Sequence, residues 1–80
     1  MRLDKYLKVS RMIKRRTIAN EACDAGRVSV NGKPARASYE VKIDDVIEIS
    51  FGSRAVKAQV TGLSETVRKD DAANMYKIID

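Results

Sequence analysis

The stretch Gly26–Lys33, which reads GRVSVNGK, decides the fold because a helical pattern ends in it and a strand pattern begins. Gly26 suits the left-handed residue that follows a helix C-terminus. Val28 and Val30 then alternate with polar neighbours, and this period of two is typical of a strand with one buried face. The dipeptide Asn31–Gly32 is the strongest short-range signal for a β-hairpin. The sequence therefore predicts a helix that leads directly into a hairpin.

Two amphipathic helices are predicted upstream of this hairpin. The first begins at Leu3, because Leu3, Tyr6 and Leu7 fall on one stripe at helical periodicity. We interpret Tyr6 as a core residue, and stacking of its ring on a base is the alternative. The second helix begins at Thr17, an acceptable N-cap, and ends before Gly26. The apolar face expected for it consists of Ile18, Ala19, Ala22, Cys23 and Ala25.

Further short strands are predicted downstream of the hairpin. Pro34 has no N–H to donate, so the return strand of the hairpin is expected to be short or to lie at a sheet edge. The next strand, Val46–Phe51, is followed by a turn at Gly52–Ser53. With a two-residue loop the apolar faces of the flanking strands coincide, which supports their pairing. The expected cross-strand pairs are Ile49 with Val56 and Ile47 with Ala58, and the expected core residues of the strand are Ile47, Ile49 and Phe51.

The end of the chain is expected to form a tail outside the main domain, with the domain at residues 1–62 and the tail at 63–80. The tail admits two structures. A short helix is the preferred one, formed by Ala72, Ala73, Met75 and Tyr76. A strand over Met75–Ile79 is the alternative.

The composition limits the functions that this chain can have. Its 80 residues can bury one modest core, so we expect a single domain, present as a monomer. Histidine is absent and there is one cysteine, so the chain lacks the commonest general base and metal ligand and cannot form an internal disulfide. We therefore expect a protein that is not an enzyme and uses neither cofactor nor metal. Without a signal peptide or an apolar run of about 18 residues, the expected location is the cytoplasm.

The positive charge is concentrated in the first half of the chain. Residues 1–36 carry ten basic and three acidic side chains, whereas residues 37–80 carry six basic and eight acidic ones. The formal net charge of +5 is therefore distributed as +7 and −2. A solubilising surface usually intersperses both signs, so this separation predicts a surface that binds a polyanion.

Three cations crowd the predicted start of the second helix, where the helix dipole favours anions. Lys14, Arg15 and Arg16 directly precede Thr17. A bound phosphate, held by helix N–H groups and the flanking guanidinium groups, would resolve this conflict. The structural alternative is that the arginines pair with acidic side chains, namely Glu21, Asp24 or those of the second half.

The predicted hairpin adds further basic residues to those that precede the second helix. A two-residue loop would place Arg27 opposite Arg36, an unfavourable like-charge pair unless an anion lies between them, and Lys33 follows the turn. Asn31 is interpreted as a turn residue with positive φ. Cys23 is interpreted as a small buried hydrophobe, because no histidine is present to activate it.

Three segments together resemble the S4 RNA-binding domain in both spacing and identity. They are Arg2–Leu7 (RLDKYL), Lys14–Thr17 (KRRT) and the hairpin segment Gly26–Lys33, and the resemblance covers roughly residues 2–50. It implies an α+β fold in which two N-terminal helices pack on a small, mostly antiparallel sheet. It also implies that the helix-turn and the hairpin bind folded RNA. The candidate RNA-binding residues are Arg2, Lys5, Lys8, Arg11, Lys14, Arg15, Arg16, Arg27, Lys33 and Arg36.

Among S4 proteins, the chain is most similar to the small ribosome-associated RqcP group and is also similar to the Hsp15 group. The first resemblance implies docking on the 50S subunit, contacts with 23S rRNA and peptidyl-tRNA, and action beside RqcH, which adds alanine tails to stalled chains. Hsp15-like recycling of 50S complexes is an alternative, although the longer basic C-terminal extension of that group is absent here. Two further hypotheses are a basic protein-interaction module and an RNA-binding accessory to a separate enzyme.

Overall fold

The computed structural model describes residues 1–63 and 75–79, and it has the expected α+β architecture. All strand pairs are antiparallel, and the five strands form one sheet in the order β2-β1-β3-β4-β5. Two helices pack on this sheet. The elements are α1 (Leu3–Val9), α2 (Arg16–Asp24), β1 (Val28–Val30), β2 (Lys33–Pro34), β3 (Val46–Phe51), β4 (Arg54–Val60) and β5 (Tyr76–Ile78).

Helix α1 supplies the centre of the core. Leu3, Tyr6 and Leu7 are fully buried, which confirms the predicted stripe and the core role of Tyr6. The first N–H groups of the helix find partners outside it, since Leu3 N–H donates to the Tyr39 carbonyl at 2.8 Å and Asp4 N–H donates to the Ala37 carbonyl at 3.1 Å. The start of α1 is therefore fixed to the loop that follows the hairpin.

Helix α2 begins earlier than the sequence indicated, so the prediction of Thr17 as N-cap was wrong. The N-cap is Arg15, whose backbone is extended at φ −123° and ψ 133°, and no side chain caps the helix. A cap preference of about 1 kcal/mol is small beside the packing of the buried residues Ala19 and Cys23 in the core. The predicted apolar face is also narrower than expected, because Ile18 is 48% exposed. The left-handed Gly26 (φ +76°) ends this region as predicted.

The hairpin and the following strands confirm the predicted registers. Asn31 and Gly32 both have positive φ, at 54° and 85°, and Val30 pairs with Lys33. Strand β2 is two residues long and lies at the sheet edge, as its proline requires. In β3 and β4 the predicted pairs are also present: Ile49 with Val56 and Ile47 with Ala58.

Phe51 was expected in the core, but it is 48% exposed, whereas Ile47 and Ile49 of the same strand are buried. Alternation with a period of two shows that Phe51 lies on the same face of the strand as Ile47 and Ile49. It does not show how far along the strand the helices cover that face. Phe51 is the last residue of β3 and pairs with Arg54 at the tip of the β3–β4 hairpin. The helical layer leaves this end of the face exposed.

The preferred helix at the end of the chain was wrong for Tyr76, which lies in a strand, whereas Met75 directly before it has a 3₁₀-helical backbone. Tyr76–Ile78 forms β5 and pairs with β4, with Val60 opposite Tyr76. Ala72 and Ala73 lie outside the described residues. Without β5, strand β4 would present unpaired N–H and C=O groups along its edge, and this pairing favours the strand over a local helix. Met75 is buried, and its carbonyl accepts a hydrogen bond of 2.6 Å from the Tyr6 hydroxyl.

Candidate nucleic-acid interface

One buried carboxylate holds two of the predicted RNA-binding arginines. Asp4 is 2% exposed, and its two oxygens accept bonds from Nε of Arg2 at 3.2 Å and Nε of Arg16 at 3.3 Å. Both arginine side chains remain about half exposed, at 50% and 49%. Arg2 precedes α1 and Arg16 begins α2, so the carboxylate brings cations from two helix starts together. We call this group, with Asn20, the Asp4 clamp.

The Asp4 carboxylate is held in its charged form. Burial alone would raise its pKa, but hydrogen bonds from Arg16, from Asn20 at 3.4 Å and from the Lys5 N–H at 2.8 Å outweigh that effect and lower the pKa below its ordinary value. The carboxylate therefore stays ionised at neutral pH. Because charge-assisted bonds are directional, it fixes where the two guanidinium groups point.

The start of α2 has the unusual charge that the sequence indicated. No acidic residue lies in its first turn, and Lys14, Arg15 and Arg16 are all exposed. Among the described residues, Arg16 pairs with Asp4 of the other helix, and neither Glu21 nor Asp24 forms an ion pair with it. The predicted alternative, pairing of the arginines with Glu21, Asp24 or the acidic second half, was wrong for Arg16, whose partner is Asp4 of the first half, a residue that the sequence analysis did not single out. A depression of about 400 Å³ opens here, lined by Asp4, Arg16, Thr17, Asn20 and Glu21.

A second buried carboxylate braces the hairpin. Asp45 accepts bonds from the Asn31 side-chain amide at 3.1 Å and from the Tyr39 hydroxyl at 2.9 Å. The Asn31 carbonyl oxygen in turn accepts the Val46 N–H at 2.9 Å. Asn31 is therefore the predicted turn residue and also a tie between the hairpin and β3. The alternation of apolar and polar residues could not reveal these hydrogen bonds of Asn31, because their partners Asp45 and Val46 lie fourteen and fifteen residues further along the chain.

The titration of this network is consistent with its geometry. Burial alone would raise the pKa of Asp45. Hydrogen bonds from the Lys42 N–H and from the side chains of Asn31 and Tyr39 outweigh that effect and lower the pKa below its ordinary value, so the carboxyl stays ionised. The same hydrogen bond to Asp45 raises the pKa of the Tyr39 phenol. The charged Asp45 carboxylate therefore accepts hydrogen bonds from neutral donors, and the bond from Asn31 holds the hairpin loop against the start of β3.

The braced hairpin carries two more of the predicted residues beside the clamp. Lys33 and Arg36 line a groove of about 680 Å³ along β2, together with Asn31 and Tyr39. The chain just after Arg36 supplies the carbonyl groups that accept the first N–H groups of α1, where the Asp4 clamp begins. The chain that follows the hairpin groove therefore lies next to the start of α1, and a single RNA-binding surface formed by the helix starts and the groove stays a prediction.

The remaining candidates are distributed around this surface and beyond it. Lys5 is half-buried in α1 and Lys8 is exposed on it. Arg27 is exposed, but the β1–β2 ladder ends at Ser29 and Pro34, so the expected opposition of Arg27 and Arg36 lies outside it. Arg11 lies past the other end of α1, in a left-handed conformation (φ 65°). Whether each of the ten residues contacts RNA stays a prediction.

The single cysteine and the potential metal ligands can be located within the part of the chain that the structure describes. Cys23 is buried, and burial, with smaller contributions from Asp4 and Asp24, raises its thiol pKa to about 11. Residues 1–63 and 75–79 contain no group of three potential metal ligands. Within the same ranges, none of the helices has both the length and the apolar character needed to span a bilayer.

Comparison with known proteins identifies the family. The model of the S4 domain matches residues 1–47. The RQC P-site tRNA stabilizing factor of Bacillus subtilis is 54% identical over 79 residues, which are 99% of this chain and 92% of that protein. The protein of the same name from Streptococcus pneumoniae is 52% identical over 79 residues, covering 99% and 90%.

A solved structure agrees with this assignment. The trimeric structure of Vibrio cholerae heat shock protein 15 superposes with a TM-score of 0.91 at 29% identity, covering 99% of this chain and 81% of that one. Its likeness extends over the two helices and the sheet described above. The chain belongs to the S4 domain family and, within it, to the RQC P-site tRNA stabilizing factors.

Proposed function

We propose that this chain is a cytoplasmic RNA-binding protein, without enzymatic activity, that stabilises P-site tRNA during ribosome-associated quality control. It would dock on the 50S subunit, contact 23S rRNA and peptidyl-tRNA, and act beside RqcH. The observation that carries the proposal is the Asp4 clamp, in which a buried carboxylate fixes two half-exposed guanidinium groups. The names of relatives more than 50% identical over nearly the whole chain support the choice of ligand.

The clamp suits recognition of an RNA backbone. A guanidinium group can donate two parallel hydrogen bonds to a phosphate. In both Arg2 and Arg16 the Nε–H donates to Asp4, so the orientation of each guanidinium group is fixed before RNA binds. Phosphate contacts fix position without reading sequence. Selectivity would then come from the shape of folded RNA, because two fixed arginines and the hairpin groove must find phosphates at matching positions.

Stabilisation without chemistry is consistent with the side chains available. The sequence has no histidine, and the Cys23 thiol is buried and protonated at neutral pH. The protein would act by binding energy alone, holding a tRNA that would otherwise dissociate. Such binding should weaken steeply as salt concentration rises, because each neutralised phosphate releases counterions.

The proposal is tested by co-sedimentation with 50S subunits that carry peptidyl-tRNA. We expect Arg16→Gln to weaken binding about tenfold or more, since a charge-assisted contact contributes about 1.5–3 kcal/mol. The matched control is Lys77→Gln, which removes one exposed cation from β5, outside the candidate site, and should have little effect. Equal losses from both variants, or complexes that survive ribonuclease, would favour the basic protein-interaction module instead.

A second candidate function is Hsp15-like recycling, which the structural similarity to heat shock protein 15 favours. The two functions differ in what a cell loses when the chain is deleted. Stabilisation of P-site tRNA predicts fewer alanine-tailed nascent chains without heat stress. Recycling predicts normal tailing and an accumulation of obstructed 50S subunits after heat shock. The chain is 54% identical to the RQC P-site tRNA stabilizing factor of Bacillus subtilis but 29% identical to heat shock protein 15, and this difference supports stabilisation of P-site tRNA.

A further inference from the structure

The core-facing side of the sheet is only partly covered by the helices. Core residues such as Ile47 and Ile49 are buried, but Phe51 and Ile78 on the same face are 48% and 51% exposed. A groove of about 190 Å³ lies at this uncovered end. We call it the sheet-end groove, and its walls include Arg11, Met12, Phe51, Val56, Tyr76 and Ile78.

The register of β3 and β4 places Arg54 directly opposite Phe51. Phe51 pairs with Arg54, and directly opposed residues project to the same side of the sheet. Arg11 approaches from the segment after α1, where its left-handed backbone (φ 65°) turns the chain. The walls of the groove thus combine an exposed phenyl ring, a half-buried phenol from Tyr76 and the Arg11 side chain. Arg54 is not part of the walls, but it lies directly opposite Phe51 in the strand register.

The arginines at the groove have no acidic partner among the residues that the structure describes. Within residues 1–63 and 75–79, none of the lining side chains is acidic, and neither Arg11 nor Arg54 forms an ion pair. A stacking ring beside guanidinium groups matches a nucleotide, whose base has a π-face and whose phosphate is an anion. A second copy of this chain in a two-fold contact is a poor occupant, because that contact would bring the arginines of both copies together.

We propose that the sheet-end groove binds an unpaired nucleotide of RNA, with the base stacked on Phe51 and its phosphate beside Arg54 or Arg11. The proposal rests on the proposed function only in taking RNA as the ligand. It adds a contact that is separate from the Asp4 clamp, and Phe51, Arg54 and the walls from β4 and β5 lie beyond the S4 family match at residues 1–47, whereas Arg11 and Met12 lie within it. The protein would then hold structured RNA with its helix starts and a single-stranded nucleotide with its sheet.

Phe51→Trp provides a direct test, since the chain contains no tryptophan and the variant has a single reporter in the groove. Titration with an oligouridylate of about eight nucleotides should quench its fluorescence to saturation. Adding Arg54→Gln to this variant should weaken the half-saturation point about fivefold or more, whereas adding Lys77→Gln should leave it nearly unchanged. Thermal melts verify that each variant is folded.

A second measurement does not depend on the tryptophan. Anisotropy of labelled oligouridylate should show about fivefold weaker binding for Phe51→Leu, which keeps an apolar side chain and removes the ring, and restored binding for Phe51→Tyr. Absence of quenching, an equal loss in the Lys77→Gln control, or quenching by polyglutamate in place of RNA would overturn the proposal. The last result would assign the groove to an acidic protein segment.

The same variants separate this proposal from the proposed function. Arg16→Gln should lose affinity for 50S subunits while retaining oligouridylate quenching when it is combined with Phe51→Trp. If 50S binding depends on Arg16 and no variant of the groove affects oligouridylate, the groove proposal is wrong and the proposed function stands. If oligouridylate binds in the groove and 50S subunits do not bind at all, the proposed function is wrong.

Discussion

Replacing Asp4 by asparagine is the perturbation that separates a preorganised surface from a merely positive one. The substitution keeps the size of a side chain that is 2% exposed but removes the charge shared by Arg2 and Arg16. It raises the formal net charge of +5 by one. An RNA-binding surface that depended only on charge would bind more tightly, whereas one that depends on oriented guanidinium groups would bind more weakly.

The effect on stability can be sized from the bonds that Asp4 accepts. Two come from the Nε atoms of Arg2 and Arg16 at 3.2 and 3.3 Å, and one comes from the Lys5 N–H at 2.8 Å. Two longer ones, both at 3.4 Å, come from Nη2 of Arg2 and from the side-chain amide of Asn20. Charge-assisted bonds contribute about 1.5–3 kcal/mol when buried, but half-exposed arginines are screened by solvent to less than about 1 kcal/mol each. We expect Asp4→Asn to lower the free energy of unfolding by about 2 kcal/mol, since an amide oxygen can still accept one bond.

This contribution has a defined pH dependence. The pKa of Asp4 lies below its ordinary 3.8, because bonds from Arg16, Asn20 and the Lys5 N–H outweigh the opposing effect of burial. A group whose pKa is lowered by folding stabilises the protein above its unfolded pKa and loses that effect as pH falls through the folded value. The stability difference between wild type and Asp4→Asn should therefore be constant near neutral pH and narrow below about pH 4.

The assay combines urea denaturation at several pH values with binding to 50S subunits carrying peptidyl-tRNA. We expect weaker binding by Asp4→Asn, about fivefold for each kcal/mol of lost orientation. Binding as tight as that of the wild type, or tighter, by a folded variant would refute the preorganised clamp. A stability difference that did not change with pH would show that the carboxylate is not the source of the effect.

Three further predictions concern single side chains. Arg15→Ala should leave the melting temperature unchanged, because the exposed Arg15 side chain forms no ion pair among the described residues, whereas Arg16→Ala removes the ion pair with Asp4 and should lower the free energy of unfolding by up to about 1 kcal/mol. Both variants should weaken co-sedimentation with 50S subunits. Tyr6→Phe should cost only about 1 kcal/mol in urea denaturation, because the Met75 carbonyl keeps two backbone donors at 2.9 and 3.1 Å. Cys23 should react with a thiol reagent at pH 8 far more slowly in the folded protein than in urea, since its pKa is about 11; equal rates would contradict its burial.

Much of the fold follows from local patterns. Alternation placed β3 at Val46–Phe51, and the two-residue loop then fixed the pairs with β4, because a shift by one residue would turn every apolar side chain outward. Asn31 and Gly32 determined the hairpin in the same way, since both positions need positive φ. These features depend on neighbours within a few residues, and the sequence shows those neighbours directly.

The errors have non-local causes. Phe51 has the correct periodicity for the core, but its exposure depends on where the helical layer ends. The chain end became a strand because β4 had a free edge, which the residues of the end themselves do not reveal. The clamp role of Asp4 depends on Arg16, twelve residues away on another helix. Its signal in the sequence was a single acid in the first helix among basic neighbours.

The central claim is that the helix starts and the hairpin form one surface for structured ribosomal RNA and tRNA. Crosslinking of the protein in cells with stalled ribosomes, followed by sequencing of the attached RNA, tests it most directly. The account predicts reads concentrated in 23S rRNA and tRNA, which disappear when Arg16 is replaced by glutamine. Reads scattered over messenger RNA, or a pattern unaffected by that substitution, would contradict it.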